Sequence, residues 1–274
     1  MKTTQWYSEF ENDSYVLYNT HDTGLYSSTL SSYGGVIWHI NDGKHISNIN
    51  FSNSHTFFKN EKDFDLYPFL YKIKENFNSL VFDHPVEWDN LIGNDLYRDL
   101  NYGDLNLITD FYYSPSNNVI EKINFFKEKY NIDVNNTIGI LYRGTDRTYE
   151  NQNPEKYIEL CNNLLLSNPK MSVLIQSDQQ QFIDECIKNI STKNTIIIEE
   201  LPTTVSNTVI HHLAISNRLE WSLNLDSVIR ILSECKILIN HNGSMSFMSC
   251  LYRGNSKNMY MFNKKSELIE PYNF

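Results

Sequence analysis

Hydrophobic positions along this chain follow two rhythms. From residue 137 onward, short continuous apolar runs alternate with stretches whose apolar residues recur every three or four positions. The first pattern reads as buried strand and the second as amphipathic helix. TIGILYR (137–143) is a predicted strand, and PEKYIELCNNLLL (154–166) a predicted helix with Tyr157, Ile158, Cys161, Leu164 and Leu165 on one stripe. Pro154 suits a first helical turn, where its missing N–H costs nothing. SVLIQS (172–177), DQQQFIDECIKNI (178–190) and TIIIE (195–199) continue as strand, helix and strand. After an irregular run, LDSVIRILSECK (225–236) reads as helix, ILIN (237–240) as strand, SMSFMSCLYR (244–253) as helix and KNMYMF (257–262) as strand. Such alternation predicts an α/β fold with a doubly wound, mostly parallel sheet from about residue 132.

The first half is less regular. SYVLYN (14–19) reads as strand, LYSSTLSSYGGVIWHI (25–40) as helix and ISNINF (46–51) as strand. This strand–helix–strand order suggests a second, degraded Rossmann-like lobe. SNNVIEKINFFKEKY (116–130) is a predicted helix joining the two. The expected division is residues 1–131 and 132–274.

In an open parallel sheet, ligands bind beyond the carboxyl ends of the strands. Four segments fall on that edge. They are Arg143-Gly144-Thr145-Asp146, Gln176-Ser177-Asp178, the irregular run from Glu199 to Trp221, and His241-Asn242-Gly243-Ser244. Arg143 can grip a phosphate through two N–H donors. The turn before Ser244 opens a helix, whose N-terminus offers unpaired N–H groups and partial positive charge. Asp178 and Asp226 offer acceptors for a base or for sugar hydroxyls. Ser177, Asp178 and Ser244 also suit helix N-caps, and both roles can coexist. Together these segments describe a nucleotide diphosphate pocket. No GxGxxG follows a strand and no GxxxxGK[ST] is present, which disfavours dinucleotide dehydrogenases and P-loop NTPases.

Composition narrows the partners. The 274 residues carry a formal net charge of −10, which argues against a nucleic-acid partner. The N-terminus lacks a basic start followed by an apolar run, and no apolar stretch approaches the ~20 residues of a membrane span. The four cysteines, Cys161, Cys186, Cys235 and Cys250, form no CxxC pair and are expected as buried free thiols. These features predict a cytoplasmic protein without an integral membrane segment.

The ordered motifs resemble the fucosyltransferase-like superfamily, which includes the α-1,6-, α-1,2- and protein O-fucosyltransferases. IGILYRGTDR is similar to its His-x-Arg-Arg-x-Asp type strand end, and VLIQSDQQ to its strand–Ser/Thr–Asp element. LSECKILINHNGSMSFMSCLYR is similar to its last helix–strand–turn–helix element. THDTGLYSSTLSSYGGVIWHI, with Gly24 before the helix, looks like its glycine-led first helix. The resemblance implies a GT-B-like fold of two Rossmann-like lobes. It also implies inverting, metal-independent sugar transfer, most simply of fucose from GDP-fucose, to a glycan or other hydroxyl acceptor. No cofactor beyond the donor is implied. On this resemblance Arg143 holds the β-phosphate and Asp146 matches the motif aspartate. Ser244 contacts phosphate, with Asn242 and Gly243 in the same turn. Asp226 lies near a guanine-reading aspartate. Glu150 lies near a carboxylate proposed as base, with His21 and Asp22 as further candidates. Leu141 replaces the motif histidine, and Gly144 its second arginine.

Two other classes stand beside this reading. Asp63-Phe64-Asp65 is a DxD pattern that suits a metal-dependent glycosyltransferase. A non-catalytic nucleotide-sugar-binding protein on the same scaffold would also tolerate the lost histidine and arginine.

Overall fold

A computed structural model describes residues 5–74, 80, 82–87, 100–145, 153–205, 210, 213, 215–263 and 265–270. The larger sheet contains β6 (Thr137–Tyr142), β7 (Ser172–Ser177), β8 (Thr195–Ile197), β9 (Ile237–His241), β10 (Met259–Phe262) and β11 (Leu268–Ile269). Their spatial order is β11-β10-β9-β6-β7-β8, with β11 antiparallel to β10 and the other pairs parallel. Chain order therefore reverses between β6 and β9, which makes their carboxyl ends the switch point where open α/β sheets place ligands.

Helices cover both faces, as the alternating pattern predicts. α5 (Pro154–Ser167) and α6 (Gln180–Asn189) bury Tyr157, Cys161, Phe182 and Cys186 against Ile138, Ile140, Val173 and Ile175. On the opposite face, α7 (Arg218–Glu234) and α8 (Ser244–Arg253) bury Val228, Leu232, Phe247 and Leu251 in one core with Leu141, Leu174 and Leu238. Gly139 permits the close approach of α7, since a Cβ there would meet Leu232 Cδ2 at 2.8 Å. The four cysteines are free and buried. Burial pushes the Cys161, Cys235 and Cys250 thiols up to about 12, so they stay protonated and unreactive near neutral pH.

The first half supplies β1 (Trp6–Glu11), β2 (Ser14–Asn19), α1 (Leu25–Asn41) and β3 (Ile46–Asn50). β2 and β3 are parallel across α1, giving one βαβ unit, and β1 adds an antiparallel edge. The aromatic-rich text that follows holds α2 (Tyr67–Leu70), β4 (Tyr71–Lys72), α3 (Tyr102–Tyr112) and β5 (Ser114–Pro115). α4 (Asn117–Lys129) then lies along α7, with Lys122 and Lys127 paired to Glu220 and Glu234 at 2.5 Å each. One core includes Leu17, Tyr33 and Phe111 of this half together with Phe126 of α4, Val228 of α7 and Phe247 of α8. Among the described residues, no helix is long and apolar enough to cross a membrane.

Two helices start two or more residues away from the sequence expectation. α6 starts at Gln180 because Gln179 bridges to Thr204 and the Asp178 carbonyl accepts the Thr204 N–H, which keeps 178–179 extended. α7 starts seven residues earlier than the apolar stripe suggests, because Asn217 accepts the Glu220 N–H at 3.1 Å as its N-cap.

Candidate functional site

A cleft of about 480 Å³ opens at the carboxyl edge of the large sheet, walled on its other side by the first half. Its polar end is built from Arg143, after β6, and Ser244, the first residue of α8 after β9. Residues 22–27, entering α1, face them. The N-caps of α1 and α8 are Gly24 and Gly243, and neither helix has a side-chain cap. By contrast α4, α5 and α7 are capped by Ser116, Asn153 and Asn217. Thus the two helices whose first residues, Leu25 and Ser244, line the cleft are those whose N-cap residue has no side chain to occupy their N–H groups. Two such N-termini beside an arginine favour a multiply charged anion such as a diphosphate.

Gly24 sharpens this point. Its φ of −65° is open to any residue, and among the described residues a Cβ there would meet nothing within 4 Å. Neither backbone conformation nor protein packing requires a glycine, so the space it leaves belongs to the cleft.

The other end is apolar. Phe58 stacks on Trp221 with ring centroids 4.7 Å apart, and Phe57, Leu201, Pro202, Ile210 and Leu225 continue the wall. An apolar wall of this kind suits the less polar part of a ligand. A cleft with anion donors at one end and a ring-sized apolar recess at the other can hold a nucleoside diphosphate lengthwise.

Carboxylates in the cleft are engaged in positioning loops. Asp178 accepts the Gly144 N–H at 2.9 Å and the Thr145 hydroxyl at 2.6 Å, so β7 fixes the loop that follows Arg143. Asp22 accepts the Thr56 N–H at 2.9 Å and its hydroxyl at 2.5 Å, tying the entry of α1 to the segment carrying Phe57 and Phe58. Ser177 accepts the Gln179 N–H at 3.0 Å and lines the cleft, as does Thr145. His21 sits 3.4 Å from Ser27 Oγ, and burial lowers its pKa against the opposing effect of Asp22. The imidazole is therefore mainly neutral at pH 7.

Several sequence expectations require correction. Asp226 is fully buried and is not a ligand acceptor. Its Oδ2 accepts Arg230 Nε at 2.7 Å, while the hydroxyls of Tyr252, Tyr26 and Tyr71 donate to Oδ1 at 2.8, 3.2 and 3.4 Å. The carboxylate is thereby saturated by α1, β4, α7 and α8. Asn242 is buried, its N–H bonds to Phe262 O, and it does not line the cleft. Gly243 contributes as the N-cap of α8 rather than by lining the cleft. Ser244 is the first residue inside α8 and not its cap, and Asp178 is likewise no N-cap, because that position of α6 belongs to Gln179. Gly144 leaves no room for a side chain: a Cβ would press on Gln179 and lie 2.8 Å from Tyr142 Cε1.

The DxD pattern does not reach the cleft. Asp65 Oδ1 accepts the Phe51 and Tyr67 N–H groups at 2.8 and 3.0 Å, and neither Asp63 nor Asp65 lines the cleft. Asp146, Glu150 and the histidines at 211 and 212 lie outside the described residues. Sequence reading put Gln176 and Trp221 on the ligand edge without giving either a role. It missed Phe58, in a segment without a clear apolar period, and the contribution of Tyr26, which stands in the predicted helix 25–40.

No protein-family model and no curated protein matches the chain. Among solved structures, it is similar to POFUT1 in an apo form, with 11% identity and a TM-score of 0.39 over 58% of this chain and 49% of that one. It is also similar to a mutant of Arabidopsis thaliana FUT1 in complex with GDP, with 12% identity and a TM-score of 0.37 over 58% of this chain and 35% of that one. The similarity thus spans about half and about a third of the length of those two chains.

Proposed function

We propose that the chain is a glycosyltransferase of GT-B-like architecture that binds a nucleotide sugar in the cleft and transfers the sugar to a hydroxyl acceptor. The observation that carries this reading is the convergence of Arg143 with two glycine-capped helix N-termini at the switch point of the sheet, beside an aromatic recess. The motif resemblance extends it to GDP-fucose as donor, to inversion, and to a reaction needing neither metal nor cofactor. Residues 1–131 then form the acceptor side and 132–274 the donor side.

In the reaction, the acceptor oxygen attacks the anomeric carbon as the bond from that carbon to the β-phosphate oxygen breaks. The electron pair leaves with the diphosphate, and the acceptor proton passes to a base. Arg143 and the first turns of α1 and α8 stabilise the charge that grows on the leaving phosphate, the kind of preorganised electrostatic help that dominates such sites. Glu150 is the proposed base, with His21 as the alternative, because its lowered pKa leaves it neutral and able to accept a proton. Asp22 and Asp178 act as positioning residues.

The test is a melting-temperature screen with GDP- and UDP-sugars, with and without EDTA, followed by a transfer assay on the sugar that binds. Arg143→Ala should lower transfer by at least about a hundredfold, on the scale of removing one preorganised charge donor, while the melting temperature without ligand stays unchanged. Near wild-type transfer by a folded Arg143→Ala protein would overturn the reading. Binding without turnover in the wild type would instead make the chain a nucleotide-sugar-binding protein.

A further inference from the structure

Gln176 is 7% exposed, lines the cleft, and has a side-chain oxygen with no hydrogen-bond partner among the described residues. Its Nε2 donates to the Ser177 carbonyl at 3.3 Å, which fixes which way round the amide stands. The group left over is therefore an acceptor, and it needs a donor. Buried acceptors are rarely left unmade unless a ligand or a water completes them.

Position along the sheet edge says what part of a ligand that donor belongs to. Across the edge, the order is β9, β6, β7, β8. β9 and β6 lead to Ser244 and Arg143, the anion end. Beyond β8 lie Leu201 and Pro202 of the apolar recess. Gln176 is on β7, in register with Leu141 of β6, and so stands between the two ends on the side of the recess. A ring seated in the recess turns an edge toward it.

We propose that Gln176 reads the nucleobase: its Oε1 accepts a hydrogen bond from an N–H on the edge of the base and sets which base the cleft prefers. This rests on the nucleotide reading of the cleft. It assigns to Gln176 the selecting role that sequence alone gave to Asp226 and Asp178, whose carboxylates are both occupied within the protein.

Gln176→Met keeps the length of the side chain and removes the unmatched acceptor. The variant loses the unmatched Oε1 together with the 3.3 Å bond from Nε2 to the Ser177 carbonyl, so it should melt close to the wild-type temperature. Affinities for GDP, UDP, ADP and CDP, with inorganic pyrophosphate as control, then decide. The expected result is a loss of about tenfold or more for the nucleotide that the wild type prefers, a flattened preference among the four, and unchanged pyrophosphate binding. A second measurement needs no variant: the preferred nucleotide, methylated at the hydrogen-donating nitrogens of its base, should bind the wild type about tenfold more weakly. Unchanged affinities in Gln176→Met would overturn the assignment, as would an equal loss for all four nucleotides, which would put the donor on the shared ribose. If pyrophosphate binds the wild type and none of the four nucleotides binds more tightly, the nucleotide reading itself falls. If the nucleotides bind the wild type and Gln176→Met alike, only the role of Gln176 falls.

Discussion

At the residue scale, the LYRGTDR segment separates what touches a ligand from what holds the segment in place. Arg143 and Thr145 line the cleft and Gly144 does not, while Asp178 fastens both Gly144 and Thr145. Gly144 therefore does more than lack the second arginine of the resembled motif. The Tyr142 ring, stacked on Phe182 at 4.0 Å, occupies the space a side chain would need. Gly144→Arg should not restore a second phosphate contact. It should cost about 1–3 kcal/mol of stability as an overpacking change and weaken nucleotide binding, measured by urea denaturation and calorimetric titration. Tighter binding would show that the loop yields freely. Asp226 gives the complementary case. Removing the carboxylate leaves Arg230, 7% exposed, without its counter-charge and takes from three tyrosine hydroxyls the carboxylate oxygen they share as acceptor. Asp226→Ala should lose about 3–5 kcal/mol, as when one partner of a buried ion pair is removed. A variant with unchanged stability and lost base selectivity would return Asp226 to the role its sequence position suggested.

At the element scale, apolar periodicity made most of the fold legible, and turn or cap chemistry explains the rest. α8, β2 and β7 are bounded where the pattern predicts, and α5 within one residue, because each carries its own apolar signal. β1 was not recognised, although Asn12-Asp13 is a two-residue turn with both φ positive, a hairpin signal carried by residue type and not by hydrophobicity. Likewise Asn217 and Glu220, three apart, mark the true start of α7, a helix buried on most sides that shows little polar alternation. For the site, the sheet edge identified Arg143 and Ser244, but partner saturation of Asp226 depends on tyrosines distant in sequence and no local pattern reveals it. The glycine that leads α1 was legible only as a resemblance, and the structure supplies its physical meaning. Gly24→Asp places a preferred N-cap where nothing obstructs it, so α1 should be no less stable. The same carboxylate spends the N–H groups facing the cleft and puts a negative charge where an anion belongs. Diphosphate affinity should fall more than tenfold with the melting temperature unchanged or raised. A Gly24→Asp protein that binds pyrophosphate and nucleoside diphosphates normally would remove α1 from the site.

At the scale of the whole molecule, three histidines bind the first half together, and burial depresses the pKa of each. His39 bridges the Gly35 carbonyl at 2.8 Å and Ser8 at 2.9 Å, joining α1 to β1. His21 lies beside the entry to α1. His55 is fully enclosed, bonded to Ser54 at 2.7 Å and to the Leu25 carbonyl at 3.2 Å, with a left-handed backbone at φ 59°. Desolvation is the main reason its pKa falls from 6.5 to about 3, and Lys59 and His21 push the same way, while the bond to Leu25 opposes them. The unfolded chain takes up a proton near pH 6.5 that the folded chain refuses until about pH 3, so stability is complete above 6.5 and declines as the pH falls between these values. The slope from His55 alone is about 1.4 kcal/mol per pH unit across that window, and His21 and His39 steepen it. Because His55 anchors the first turn of α1, the same acidification loosens the helix N-terminus that faces Arg143 across the cleft. Urea midpoints measured from pH 7.5 to 4.5 should fall steadily below 6.5. His55→Asn, which tolerates the left-handed backbone and cannot titrate, should start from a lower midpoint and fall less steeply. Equal slopes for the two proteins would show that His55 does not set the acid limit of the fold.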